Sequence, residues 1–72
     1  MRQPVRYRAS IAAAYRRATQ SSRDVIFRQD GSLFWPQPGE FPLPSEVWVT
    51  AGELQFFSPA DIARLLDERK DQ

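Results

Sequence analysis

The sequence predicts an α+β domain: a small antiparallel β-sheet of three to four strands, in two hairpins, flanked by an N-terminal and a C-terminal helix. Three observations carry that expectation. Two apolar, β-prone runs, Val25-Ile26-Phe27 and Leu33-Phe34-Trp35, flank the turn-forming pair Asp30-Gly31. A second alternating run, Glu46 to Phe57, surrounds Ala51-Gly52. Ser58-Pro59-Ala60-Asp61 then combines several helix-start signals immediately before an apolar stripe.

Seventy-two residues make a single small domain, 1–72. A chain of this size buries only about 60% of the surface its unfolded form exposes, so a partner or self-association is a natural source of further stability. With neither cysteine nor histidine there is no disulfide, no thiolate or imidazole metal site, and no group that titrates near neutrality. No apolar run approaches the roughly 20 residues that span a bilayer, and the arginines at 2, 6 and 8 precede no apolar core of the kind a secretory signal carries. A cytoplasmic protein without cofactor or membrane contact is expected.

Residues 4–22 read as a helix. Pro4 suits the first helical position, five alanines between 9 and 18 favour the helix, and Tyr7, Ile11, Tyr15 and Ala18 form one apolar stripe. The interval 24–57 reads as a β-meander. A two-residue Asp30-Gly31 loop sets Gln29 opposite Ser32, Arg28 opposite Leu33, Phe27 opposite Phe34 and Ile26 opposite Trp35. Val25, Phe27 and Phe34 then share one face; Ile26, Leu33 and Trp35 share the other with Arg28. Because both faces are partly apolar, either helices cover both or one face offers aromatics to a partner.

The proline-dense connector 36–45 is neither helix nor central strand. It is expected to run extended, as a stiff strap whose Phe41 and Leu43 close one end of the core. In the second hairpin an Ala51-Gly52 loop pairs Val49 with Leu54 and Val47 with Phe56 on one core face. The final helix, 59–70, has Ser58 as N-cap, Pro59 at its first position, Asp61 completing a capping box, Phe57 stapling onto Ile62, and Ile62, Ala63, Leu65 and Leu66 buried.

Charge is distributed unevenly. Residues 1–28 carry seven arginines and one acid, whereas residues 29–72 carry three bases and eight acids. The two halves either neutralise each other in the fold or form separate interaction surfaces. The acids fall in turns, caps and the tail, and the three glycines, at 31, 39 and 52, look like turn residues rather than a phosphate cradle. No catalytic constellation emerges, and the chain is not expected to be an enzyme.

Two binding readings remain. The first is a protein–protein interaction module, a regulator or inhibitor of a larger bacterial protein or complex, using Arg16, Arg17, Arg28, Trp35, Phe41 and Trp48. Tryptophan and arginine are the residue types that dominate interface hot spots. A homodimer is one form of it. The second is nucleic-acid binding, with Arg2, Arg6, Arg8, Arg16, Arg17 and Arg23 following a phosphate backbone; no helix-turn-helix, zinc-finger or RNA-recognition signature accompanies them. Against both stands the bland alternative that the arginines coat a solvated helix face and the tryptophans fill the core.

Gly31-Ser32-Leu33-Phe34-Trp35-Pro36, in a hairpin ahead of a proline-containing connector, a Trp strand and a late helix, resembles MbtH-like proteins, which bind adenylation domains of nonribosomal peptide synthetases. That family's Ser-Leu-Trp-Pro run is interrupted here by Phe34, its C-terminal Trp-Thr-Asp-x-Arg-Pro stretch is missing, and a basic helix is added in front. The family's function is therefore not carried over.

Overall fold

A computed structural model describes the backbone of residues 5–71 and the side chains of residues 9–71. The expectations for Pro4 and for the side chains of Arg2, Arg6, Tyr7 and Arg8 lie outside the described residues. The elements run α1 (Val5–Thr19), β1 (Val25–Phe27), β2 (Leu33–Phe34), β3 (Val47–Val49), a 3₁₀ turn (Leu54–Phe56) and α2 (Pro59–Glu68). The three strands form one antiparallel sheet in the order β2-β1-β3, and the arrangement is α+β.

α1 stops at Thr19, three residues before the expected boundary. The Thr19 hydroxyl donates to the Arg16 carbonyl (2.8 Å), and the Gln20 and Ser21 amides tighten onto Arg17 and Ala18. The helix buries Ile11, Ala14 and Ala18 against the sheet and α2, while Tyr15 stays half-buried and donates its hydroxyl to the Phe57 carbonyl (2.6 Å).

The hairpin loop differs from expectation by one residue. Gln29-Asp30-Gly31 forms a three-residue loop, with the Gly31 amide donating to the Arg28 carbonyl (2.9 Å) and the Arg28 amide to the Ser32 carbonyl (2.8 Å). Only Gly31 takes a positive φ, 86°. Asp30 contributes through its side chain instead: Oδ1 accepts from the Ser32 amide and hydroxyl. This is a tight turn closed by a left-handed glycine, the usual alternative to the two-residue loop. The register becomes Ile26↔Phe34 and Phe27↔Leu33. Slipping by one residue exchanges faces, so Leu33 joins Val25 and Phe27 in the core and Phe34 moves to the face of Ile26.

The connector 36–45 is not an extended rod. It makes two β-turns, Gln37–Glu40 and Leu43–Glu46, each closed by the amide of its last residue donating to the carbonyl of its first (2.9 Å in both). Pro38 and Pro44 occupy the second turn positions, and Gly39 supplies the positive φ (88°) that the first turn needs after proline. The segment between the turns projects outward: Phe41 is 76% exposed and Leu43 63%. Neither closes the core.

The second hairpin does not form. After β3 the chain turns at Thr50 and enters the 3₁₀ turn. Glu53 Oε1 accepts both the Thr50 amide (3.1 Å) and the Thr50 hydroxyl (2.9 Å), while the Glu53 and Leu54 amides return to the Thr50 carbonyl. The Glu53 side chain thus closes the turn back onto Thr50, without the amide-to-hydroxyl bond that would complete a capping box. A primed hairpin would have required positive φ at Ala51, which an alanine reaches only at a cost. Leu54 still packs inward, as expected, but Phe56 is 76% exposed.

α2 follows the sequence closely. Ser58 caps it, Asp61 completes the box, and Ile62, Ala63 and Leu66 are buried with Phe57 and Leu65 packed alongside. The helix ends at Glu68 rather than 70, and Arg69 beyond it donates to the Glu46 carbonyl (2.7 Å). The two helices and the 3₁₀ turn cover one face of the sheet, where Val25, Phe27, Val47 and Val49 meet Ile11, Ile62 and Leu66. Gln29 fastens this layer: its amide group donates to both the Ser45 and the Leu66 carbonyls (2.7 Å each).

Two outcomes test this architecture. Because Leu54 is buried and Phe56 is not, Leu54→Ala is expected to cost about 2–5 kcal/mol in chemical denaturation. Phe56→Ser should change stability by no more than about 0.5 kcal/mol; a hairpin would make both costly. The second concerns acid. Asp61 lies below the ordinary aspartate range, chiefly because the Ser58 amide, then its hydroxyl, donates to it; Asp30 does so chiefly because the Ser32 hydroxyl, then its amide, donates. A folded-state pKa depressed below its unfolded value gives stability that is complete above the unfolded value and is lost as pH falls through the folded one. Denaturation midpoints should therefore decline from about pH 4 downward, and Asp30→Asn with Asp61→Asn should make that decline shallower.

Candidate partner-binding surface

The face of the sheet turned away from the helices carries the candidate site. The register sets Phe34, Ile26 and Trp48 in one row across β2, β1 and β3. Ile26 at its centre is fully buried (0% exposed), while its two aromatic neighbours are half-buried. Strand β1 is therefore apolar on both sides, and its outer side is covered by aromatic side chains rather than by a third layer of secondary structure.

Polar groups fix the ends of this row. The Arg28 guanidinium lies over the Phe34 ring, 4.4 Å from its centroid, and its Nε is 3.9 Å from Glu46 Oε2. The Trp48 indole N–H donates to Asp24 Oδ2 (3.2 Å), and Asp24 Oδ1 accepts from the Ala51 amide (3.1 Å). Asp24 thereby orients the indole and anchors the turn after β3. Phe41 packs beside Trp48 at 6.2 Å between ring centroids, tilted by 48°. The Arg23 guanidinium stands 5.3 Å from the centre of the Trp35 ring.

Between strap and sheet lies an open cleft of about 360 Å³, lined by Arg23, Asp24, Pro36, Pro38, Phe41 and Trp48, with Glu40 at its side. Its walls are largely hydrocarbon and its charged groups are of both signs. A cleft of this kind accepts an apolar side chain and holds its polar surroundings at the rim. Among the described residues no buried side-chain nitrogen or oxygen lacks a hydrogen-bond partner. No group of three His, Cys, Asp or Glu side chains there is placed to hold a metal, and no described helix is long and apolar enough to cross a membrane.

Of the six residues singled out from the sequence, Phe41 and Trp48 meet in this cleft. Trp35 is half-buried against the core and covered by Arg23. Arg28 is engaged by Phe34 and Glu46. Arg16 and Arg17 are exposed on α1, in the helix layer on the other side of the sheet, so they do not join the aromatic surface. Arg23 and Asp24 enter the site without having been singled out for the aromatic surface. No local pattern marks them; Asp24 reaches Trp48 because Val25 pairs with Val49, and Arg23 stands over Trp35.

Compared with protein-family models, with curated proteins and with solved structures, the chain matches none.

Removing the Asp24 carboxylate leaves two donors to find water. Asp24→Ala is expected to lower stability by about 1 kcal/mol. In NMR spectra the Trp48 indole proton should exchange faster with solvent, with the Trp35 indole as internal reference.

Proposed function

We propose that this chain is a non-catalytic protein-binding module, a small regulator or inhibitor whose contact surface is the outer sheet face and the strap beside it. The observation that carries this reading is the exposure of Phe41, packed beside Trp48, and of Leu43 two residues on, in a segment whose backbone is fixed at both ends by a β-turn. Large apolar groups on a pre-ordered backbone lose little conformational freedom when they are covered, so their burial is available for affinity. Aromatic side chains with neighbouring arginine form the usual energetic centre of protein interfaces. The absence of histidine and cysteine supports a binding rather than a bond-making role, and suits a reducing cytoplasm.

The nucleic-acid reading has one observation in its favour. Arg16 and Arg17 are exposed and form no ion pair among the described residues. Since these arginines and the aromatic face lie on opposite sides of the sheet, variants separate the two readings. The purified chain, immobilised, is exposed to nuclease-treated lysate of its host, and captured proteins are identified and rebound in pure form. Phe41→Ser with Leu43→Ser is expected to weaken a reproducible protein capture by about tenfold or more, given that a few central side chains carry most interface energy. Arg16→Ala with Arg17→Ala should leave it intact. Capture from a parallel, untreated lysate that is lost only with the arginine pair, and is missing from the nuclease-treated arm, would reverse the assignment.

A further inference from the structure

We infer that the occupant of the outer face is a second copy of this chain, related by a two-fold axis; the inference rests on reading that face as a binding surface. A two-fold interface must be self-complementary, because the same patch meets itself. This patch has both halves of such a contact. The strap segment between its two turns presents a ridge, Phe41 and Leu43, while the cleft beside it presents an apolar floor of Trp48, Pro36 and Pro38. Seating the ridge of one copy on the floor of the other covers the large apolar side chains that the monomer leaves in water.

Charge points the same way. Arg23 and Glu40 both border the cleft, and neither forms an ion pair among the described residues. Arg23 rests on the Trp35 ring, which leaves the edge of its guanidinium available. Glu40 gives Oε1 to the Gln37 amide (2.6 Å), and its second oxygen has no partner among the described residues. A two-fold axis through the cleft brings the cation of each copy toward the carboxylate of the other, so the pair forms twice. A partner of one sign would leave one of the two unanswered.

Sedimentation equilibrium of the full chain over a concentration series tests this directly. A monomer–dimer equilibrium is expected. Arg23→Glu alone and Glu40→Arg alone should each weaken it by about tenfold or more, and the two changes together should restore it. Phe41→Asp, at a position open to solvent, should give monomer with an unchanged circular dichroism spectrum. A single species of monomer mass up to about 1 mM, where even weak specific association would be visible, overturns the inference. So does a dimer that none of these changes moves. A monomer whose capture of another protein still depends on Phe41 removes the second copy as occupant but leaves the binding role of the face in place.

Discussion

From Gln37 to Asp61 the chain is shaped less by strand pairing than by carboxylates bonded to backbone amides three residues earlier. Glu40 closes on Gln37, Glu46 on Leu43, Glu53 on Thr50 and Asp61 on Ser58. Each satisfies an amide that no strand or helix partner reaches, and an ionised acceptor makes a stronger bond than a neutral one. Asp24 and Asp30 do the same for Ala51 and Ser32. Six of the nine acidic residues thus hold backbone. With eight of the described residues in β-strands, these bonds are what makes the irregular half a fixed object rather than a loose connection.

That fixity decides where the apolar surface ends up. With helices on one side only, β1 has its inner face in the main core and its outer face under Phe34 and Trp48. The strap must pass from β2 at one edge to β3 at the other, and its turns at Gln37–Glu40 and Leu43–Glu46 set its path beside Trp48. A disordered connector could fold Phe41 and Leu43 away; a connector with both ends pinned by carboxylates and prolines holds them out. Exposure here follows from the turn chemistry and not from a shortage of hydrophobic space inside.

The parts of this fold legible in the sequence are those fixed by contacts within a few residues. Ser58, Pro59 and Asp61 define the start of α2 together, and the structure reproduces each of them. The apolar run Val25–Phe27 declares a strand whatever its partners. The loop at Asp30-Gly31 was less determinate, because two loop lengths compete for the same pair of residues. The longer one wins where it places Leu33 in the core and frees Gln29 to bridge Ser45 and Leu66, 16 and 37 residues away. The alternation of Val47, Val49, Leu54 and Phe56 spells a hairpin, yet the turn that Glu53 closes onto Thr50 keeps Leu54 buried without one. The site was the least legible part. Its floor depends on strand register, and register is a property of pairs.

The same carboxylate bonds bear on the charge of the molecule. A basic first half and an acidic second half need not neutralise each other when most of the acids are turned toward amides. Of the described arginines in the first half, only Arg28 reaches a carboxylate; Arg23 lies over an aromatic ring, and Arg16 and Arg17 face water. The asymmetry written in the sequence therefore survives folding. It is distributed over two sides of one sheet: arginine on the helix layer, aromatic side chains with the cation of Arg23 and the carboxylates of Asp24 and Glu40 at the cleft. The two sides are separate surfaces, so the charge of one is not offset by the groups of the other.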